Sequence, residues 1–242
     1  MTALDNFLFT AFPYATIIIF LVGTIYRYKS TSFKYSSLSS QFLEGRKLFW
    51  GSIPFHWGII FLFVGHLIAF LIPDSVIALN SHPLKLMVIE IVAFMFGLSI
   101  LIGLITLIYR RISNGRLWVI TTKMDIFIEL LLLAQIFFGL WMAYSLRWGS
   151  SWFASVLTPY LRSIFLLQPD INAVSNMPWL VKVHIIGAFL IFMLIPFSRL
   201  VHILVVPLHY IWRPYQRVIW YWNRLKLRDP DSKWSLKSPK ST

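Results

Sequence analysis

An apolar stretch near the end of the chain, residues 181–207, is long enough to cross a membrane and yet carries two histidines. His184 and His202 are 18 residues apart, which is five whole turns of an α-helix. Both rings would therefore leave the same face of one helix, about 27 Å apart along its axis. A second apolar stretch, residues 52–73, carries His56 and His66. These stretches predict a fold of long, buried helices, in which the histidine side chains would lie at fixed positions along each helix.

Four of the six histidines fall in these two stretches. A single histidine in an apolar helix is more often a structural residue with its hydrogen bonds made than a metal ligand. Ionisable side chains inside a bilayer are costly, however, and usually mark function. Four of them on two helices predict a protein that holds two haems.

The composition is that of a multi-span membrane protein. The 242 residues are 58% hydrophobic and 17% aromatic, with a mean hydropathy of +0.71, which is far too apolar for a soluble domain of this size. The chain has no cysteine, which excludes disulfides, a cysteine-ligated iron–sulfur cluster and covalent haem attachment. Any haem would therefore be held through histidine alone.

The hydropathy pattern predicts an all-α bundle of five transmembrane helices. We expect a membrane domain over residues 1–207, a short loop at 74–84 and a surface-lying amphipathic helix within 147–178. A basic, aromatic tail would follow at 208–242. The predicted spans are 7–26, 53–71, 85–107, 124–144 and 179–206.

The basic residues are distributed unevenly between the two sides of this bundle. The net charge is +13, and 17 of the 22 lysines and arginines lie in segments 27–50, 110–123 and 208–242. Cytoplasmic loops of membrane proteins carry such an excess. The pattern predicts an outer N-terminus and a cytoplasmic C-terminus, with the tail as a docking surface for partner subunits. It is a topology signal and gives no reason to expect nucleic-acid binding.

This topology pairs the histidines by depth, with His56 and His202 near the inner surface and His66 and His184 near the outer one. Each pair could bind one haem iron. The spacings differ, since His56 and His66 are separated by only about 15 Å of helix. A kink at Pro196 would reduce the mismatch.

Side chains next to these histidines could serve the same haems. Arg199 precedes His202 by three residues and Lys182 precedes His184 by two, so both are candidates to bind haem propionates. Three glycines would leave room for porphyrin or, equally, allow close helix packing: Gly58, Gly65 and Gly187.

Three segments carry a family resemblance: FHWGIIFLFVGH at Phe55–His66, TTKMDIFIELLLLAQIFFGL at Thr121–Leu140, and PFSRLVH at Pro196–His202. Together with the number of spans and both histidine spacings, they resemble the gamma subunit of respiratory nitrate reductase, a di-haem cytochrome b. The resemblance implies two b haems with the ligand pairs given above. It also implies a place in the cytoplasmic (inner) membrane.

The resemblance further implies an electron-transfer role. The subunit would oxidise quinol near the outer haem and pass electrons to a cytoplasmic iron–sulfur subunit and a molybdenum-containing catalytic subunit, which reduces nitrate. Lys85, at the start of the third span, matches the lysine of the quinol site, where His66 also lies.

The chain departs from the family pattern at Glu90 and Glu129, where uncharged residues are expected. Similar anchors serve nitrite oxidoreductases and sulfur-cycle or heterodisulfide-type complexes, so the terminal acceptor stays open. A proton-coupled transporter with relaying histidines is a further alternative.

Overall fold

The computed structural model describes residues 3–30 and 46–205, and all regular structure within these ranges is helical. Five helices are long and apolar enough to cross a membrane, which confirms the predicted five-span, all-α fold. The helices are α1 Ala3–Ser30, α2 Arg46–Leu71, α3 Pro73–Asn80, α4 Pro83–Ser113, α5 Gly115–Val119, α6 Lys123–Ser145, α7 Gly149–Trp152, α8 Thr158–Phe165, α9 Asn172–Ser175 and α10 Trp179–Leu194. The spans are α1, α2, α4, α6 and the region of α10.

Local sequence explains several helix ends. Pro73 and Pro83 open α3 and α4, where the missing proline N–H leaves no helix bond unmade. Thr122 and Asp125 form a capping box at the start of α6. One expectation was wrong: the segment 74–84, predicted as a loop, is largely helix α3. Helix α2 begins at Arg46, before the predicted start of this span at residue 53.

The most extensive helix pair is α2 with α4. A Cβ at Gly103 would lie 2.7 Å from the Gly51 carbonyl oxygen, and one at Gly58 would lie 2.9 Å from the Phe96 carbonyl oxygen. Only glycine permits such close backbone approach, as is common in membrane helix pairs. This close pair fixes α2, and with it His56 and His66, against the bundle.

Residues 149–165, which we call the roof segment, cover the end of the bundle where α2 terminates. The segment comprises α7, a π-helical turn at Phe153–Leu157 and α8. The predicted amphipathic helix is present, and its apolar face packs on the protein. It ends at Phe165, and Leu167 is 76% exposed with a left-handed backbone.

Hydrogen bonds fasten the roof segment to α1 and α2. The hydroxyl of Tyr160 donates to the Phe9 carbonyl at 2.9 Å, and burial raises the pKa of Tyr160, so it stays a donor. Arg162 donates to the Phe70 and Leu71 carbonyls. These carbonyls have no partner within the helix because they belong to its last turn. The roof segment thus supplies hydrogen-bond donors to the last carbonyls of α2.

The predicted tail at 208–242 and the segment 31–45 lie outside the described residues. The division at residue 207 and the orientation of the termini therefore stay predictions. Inner and outer refer to the two sides of the membrane in that predicted topology.

Candidate functional site

His56 and His202 lie next to each other. Their ring centroids are 6.2 Å apart, with 59° between the ring planes. His56 extends from α2, and His202 lies on the segment that follows α10. The structure thus brings together the pair that depth predicted for the inner side.

Three of the four histidines hold the same kind of hydrogen bond. The Nδ1 atoms of His56, His66 and His202 lie 2.8, 2.7 and 2.7 Å from backbone carbonyl oxygens. A carbonyl oxygen only accepts, so each Nδ1 carries the proton and donates. Each Nε2 is then left with its lone pair, as in metal-ligating histidines whose other nitrogen is held by a carbonyl.

The fifth span is not one continuous α-helix, and the expectation that His184 and His202 share a helix face is wrong. The α-helix ends at Leu194, Ile195–Phe197 forms a 3₁₀ turn, and Ser198 is extended. A second 3₁₀ segment, Arg199–Val205, then carries His202. Pro196 breaks the helix because it has no N–H and its ring clashes with the preceding turn.

The side chains of Arg27 and Ser198 stabilise this break. Arg27 of α1 donates through Nη1 to the carbonyls of Pro196 and Ser198, the latter at 3.0 Å. The Ser198 hydroxyl accepts from the backbone N–H of Leu200 at 3.2 Å. Polar backbone groups freed inside a membrane must find partners within the protein, and these two residues supply them.

Arg199, a predicted propionate partner, is bound to α6 and the residues before it. Its Nε donates to Asp125 Oδ1 at 2.8 Å, and its Nη2 donates to the Ile120 carbonyl at 3.0 Å. Its own carbonyl accepts the bond from Nδ1 of His202. Arg199 therefore connects the position of His202 to that of Asp125.

The outer-side histidines sit in different surroundings. His184 is partly buried, and its Nδ1 has no hydrogen-bond partner among the described residues. Its ring packs on Gly139 of α6, where a Cβ would lie 3.1 Å from Cε1. Gln135 Nε2 donates to the His184 carbonyl at 3.0 Å.

His66 lies directly beneath the roof segment. Its ring meets that of Phe153 edge-on, with centroids 5.1 Å apart. The position beside it is open, since nothing lies within 4 Å of a Cβ built at Gly65. The other two glycines are in close packing contacts, Gly58 with α4 and Gly187 with the Gln135 side chain. Only Gly65 thus offers the space for porphyrin that the sequence allowed at all three.

Lys182, the other predicted propionate partner, is held at α1. Its Nζ lies 3.2 Å from Asp5 Oδ1 and 6.0 Å from the centroid of the Phe9 ring. The structure therefore places a carboxylate next to each predicted propionate residue, Asp5 beside Lys182 and Asp125 beside Arg199.

Lys85 borders an open, apolar recess of about 360 Å³ at the start of α4. The recess is lined by Leu79, Leu84, Lys85, Val88 and Ile89. Its only charged lining residue is Lys85, which is exposed. The surface of the recess is apolar throughout, so Lys85 contributes its aliphatic stem to the lining.

Glu90 and Glu129 both have structural partners. Glu90 Oε1 accepts from the backbone N–H of Ser150 at 2.8 Å and from its hydroxyl at 2.6 Å. Glu129 Oε1 binds Arg111 Nε at 2.8 Å. Glu90 thereby caps the first turn of the roof segment.

Sequence reasoning missed Arg27, Asp125, Gln135 and Phe153. A signal existed for Asp125, because Thr-x-x-Asp before an apolar run is a capping-box pattern. The other three act on segments distant in the chain, and no local pattern marks them.

Within residues 3–30 and 46–205, no three histidine, cysteine or acidic side chains come together as a metal group. Axial ligation of a haem iron requires only two side chains, since the porphyrin supplies the other donors. The fold and the site thus define a polytopic membrane protein with paired histidines on neighbouring helices.

Comparison with known proteins names the family. Residues 5–221 match the family model described as nitrate reductase gamma subunit, and the chain belongs to that family. It is 36% identical to the nitrate reductase gamma chain of Bacillus subtilis over 208 residues, which cover 84% of this chain and 92% of that one. It is 30% identical to the respiratory nitrate reductase 1 gamma chain of Escherichia coli, over 90% and 98% of the two chains.

A longer relative is the nitrate reductase-like protein NarX of Mycobacterium tuberculosis. The identity is 32% over 221 residues, which cover 85% of this chain but 32% of NarX. The gamma-chain sequence thus also occurs as part of a larger polypeptide.

Proposed function

We propose that the protein is the di-haem cytochrome b subunit of a membrane-bound quinol:nitrate oxidoreductase. His56 and His202 hold the inner haem, and His66 and His184 hold the outer one. When bound, the two haems supply a path for single electrons across the membrane. The chain binds and oxidises quinol on the outer side and leaves nitrate reduction to another subunit.

The His56–His202 pair is the observation that carries this proposal. A haem iron held by both residues would require two histidine rings close together, each with a nitrogen free to bind a metal. The observed centroid separation is 6.2 Å. Both Nδ1 atoms donate to carbonyls, so both Nε2 atoms can ligate. The residues present therefore fit a haem iron.

The outer pair is supported by its surroundings rather than by a ring distance. The Nδ1–H of His66 donates to a backbone carbonyl, and the space beside His66 at Gly65 is open. His184 presents a buried nitrogen that no described protein group satisfies. Lys182 and Arg199 can bind propionates at the two haems, alongside their carboxylate partners.

The recess at Lys85 supports quinol binding on the outer side. Quinol oxidation releases two electrons and two protons, so the site needs an electron acceptor and an exit to water. The flexible ammonium of Lys85 can donate a hydrogen bond to a ring oxygen, while the apolar lining accommodates the ring. The roof segment covers the neighbouring ligand His66.

Partner subunits follow from the family and from the charge distribution. The names of the relatives support assembly with nitrate-reducing subunits. The basic residues of the predicted cytoplasmic side supply a surface for an iron–sulfur subunit, which passes electrons to the molybdenum subunit. The five apolar spans and the family support a location in the cytoplasmic (inner) membrane. Related complexes with other acceptors, and a proton-coupled transporter, are the alternatives.

A reduced-minus-oxidised visible spectrum of the purified chain tests the proposal. We expect b-type bands from two haems per chain. His56→Ala and His202→Ala should each remove the same component, and His66→Ala should remove the other.

His82→Ala is the matched control, because His82 is exposed at the start of α4 and outside the spans. It should leave both components in place. A chain without b-type haem would favour the transporter, and loss of one component by both His56→Ala and His66→Ala would refute the pairing.

A further inference from the structure

We propose that Asp125 is a positioning residue for His202 and acts on it through Arg199. The inference rests on the proposed function, in which His202 is a ligand of the inner haem. Asp125 itself is 74 residues away from Arg199 in the chain and lies in the first turn of α6.

The need for an external anchor follows from the backbone around His202. The α-helix ends at Leu194, and Ser198 is extended. The ligand therefore sits on the separate segment Arg199–Val205, which has 3₁₀ geometry. Such helices are short and have poorer hydrogen-bond geometry than α-helices. The preceding helix does not fix the direction of the His202 ring, so contacts with other elements must do so.

Arg199 provides those contacts through its backbone carbonyl and through its guanidinium. Its carbonyl accepts the Nδ1–H of His202 at 2.7 Å and so sets the ring orientation. Its guanidinium is bound by Asp125 Oδ1 at 2.8 Å and by the Ile120 carbonyl at 3.0 Å. A shift of the Arg199 backbone would carry the ligand ring with it.

Asp125 is itself held rigidly. It is buried, and its Oδ2 accepts from the backbone N–H of Thr122 at 3.0 Å within the capping box. Glu129 binds Arg111 at 2.8 Å, whereas Arg111 lies 3.6 Å from Asp125. Glu129 thus takes the shorter contact with the neighbouring arginine, and Asp125 Oδ1 makes its close pair with Arg199.

Alternative roles of Asp125 can be separated by choice of variant. Asp125→Asn keeps an oxygen for the Thr122 N–H but loses the charge that binds Arg199. Thr122→Val removes the side-chain half of the capping box and leaves the Asp125–Arg199 pair. Glu129→Gln removes a neighbouring carboxylate that makes its close ion pair with Arg111, at 2.8 Å. Comparing these three isolates the contact that the inference requires.

The experiment measures each haem separately in the purified full chain. Inner and outer haem are resolved by redox titration of the visible spectrum and by the low-spin signals of the oxidised protein in electron paramagnetic resonance, which report the relative orientation of the two ligand rings. Changes to groups that orient metal ligands cost about 10–100-fold in affinity. In Asp125→Asn we expect about a tenfold faster loss of the inner haem on incubation, with a shifted inner signal and an unchanged outer haem.

Arg199→Gln should reproduce this effect, and the double variant should be no worse than Arg199→Gln alone, because both changes break one connection. Thr122→Val and Glu129→Gln should retain the wild-type inner signal.

Several outcomes would overturn the inference alone: an unchanged inner haem in Asp125→Asn, equal weakening of both haems, or the same defect in Thr122→Val. A wild-type chain that holds no b-type haem would instead overturn the proposed function, and this inference with it.

Discussion

At the scale of single residues, most of the polar side chains described for the candidate site have a hydrogen-bond or ion-pair partner. Each of three histidines donates Nδ1 to a backbone carbonyl. Each charged residue considered for the haems binds an opposite charge, Lys182 with Asp5 and Arg199 with Asp125. Buried charges require such partners because an unpaired charge in a low-dielectric medium is costly.

Glu90 gives a prediction at this scale. Replacing it with leucine leaves the Ser150 N–H and hydroxyl without their acceptor. We expect Glu90→Leu to lower the free energy of unfolding by about 1–3 kcal/mol, as for other buried donors that lose a charged partner. It should also speed proteolysis within the roof segment.

Thermal unfolding in detergent and limited proteolysis measure these two effects. Glu90→Gln is the matched control, because it keeps an acceptor oxygen and should lose less stability. Wild-type stability of both variants would show that the contact between Glu90 and Ser150 does not stabilise the roof segment.

At the scale of elements, the break after α10 is the feature that determines the position of His202. Pro196 ends the α-helix, and the segment that follows brings His202 to His56. Gly23 of α1 allows this close approach, since a Cβ there would lie 3.2 Å from Cβ of Pro196. A helix break inside a membrane is tolerated only where the freed backbone groups are satisfied.

Arg27 is the residue that tests this requirement. Arg27→Gln removes the guanidinium that binds the carbonyls of Pro196 and Ser198. We expect a loss of about 1–3 kcal/mol in the free energy of unfolding and weaker retention of the inner haem than of the outer one. Lys29→Gln, an exposed change two residues further along α1, serves as the control. Equal behaviour of the two variants would show that the break does not depend on Arg27.

At the scale of the whole molecule, the two ends of the bundle carry different structural features. The roof segment, the recess at Lys85 and His66 lie at one end, and the broken span with the Asp125–Arg199 pair lies at the other. The close α2–α4 pair connects them, since α2 carries a histidine toward each end and α4 begins near Lys85. This arrangement is consistent with the proposed transfer of electrons from one surface to the other.

Lys85 gives a prediction about that overall path. Lys85→Ala should lower kcat/KM for quinol by about 10–100-fold, the range expected when a charge-assisted hydrogen bond worth about 1.5–3 kcal/mol is lost. Both haem spectra should be unchanged, as should electron delivery from chemically reduced haem. Stopped-flow reduction of the haems by a soluble quinol is the measurement.

Lys85→Arg, which keeps a cationic donor, should recover part of the rate. Wild-type kcat/KM in Lys85→Ala would place the quinol elsewhere.

The sequence by itself determined the number of spans, the helical fold and the histidines that the structure pairs at the inner side. These follow from local properties, because apolar length and the rarity of ionisable residues in a bilayer can be read along a single segment. The tertiary structure decided how His202 is presented. Pro196 predicted a kink, but the extended Ser198 and the 3₁₀ segment depend on Arg27 and Asp125, which reach across from α1 and α6. Such contacts join residues 74 to 171 positions apart, and only the folded chain brings them together.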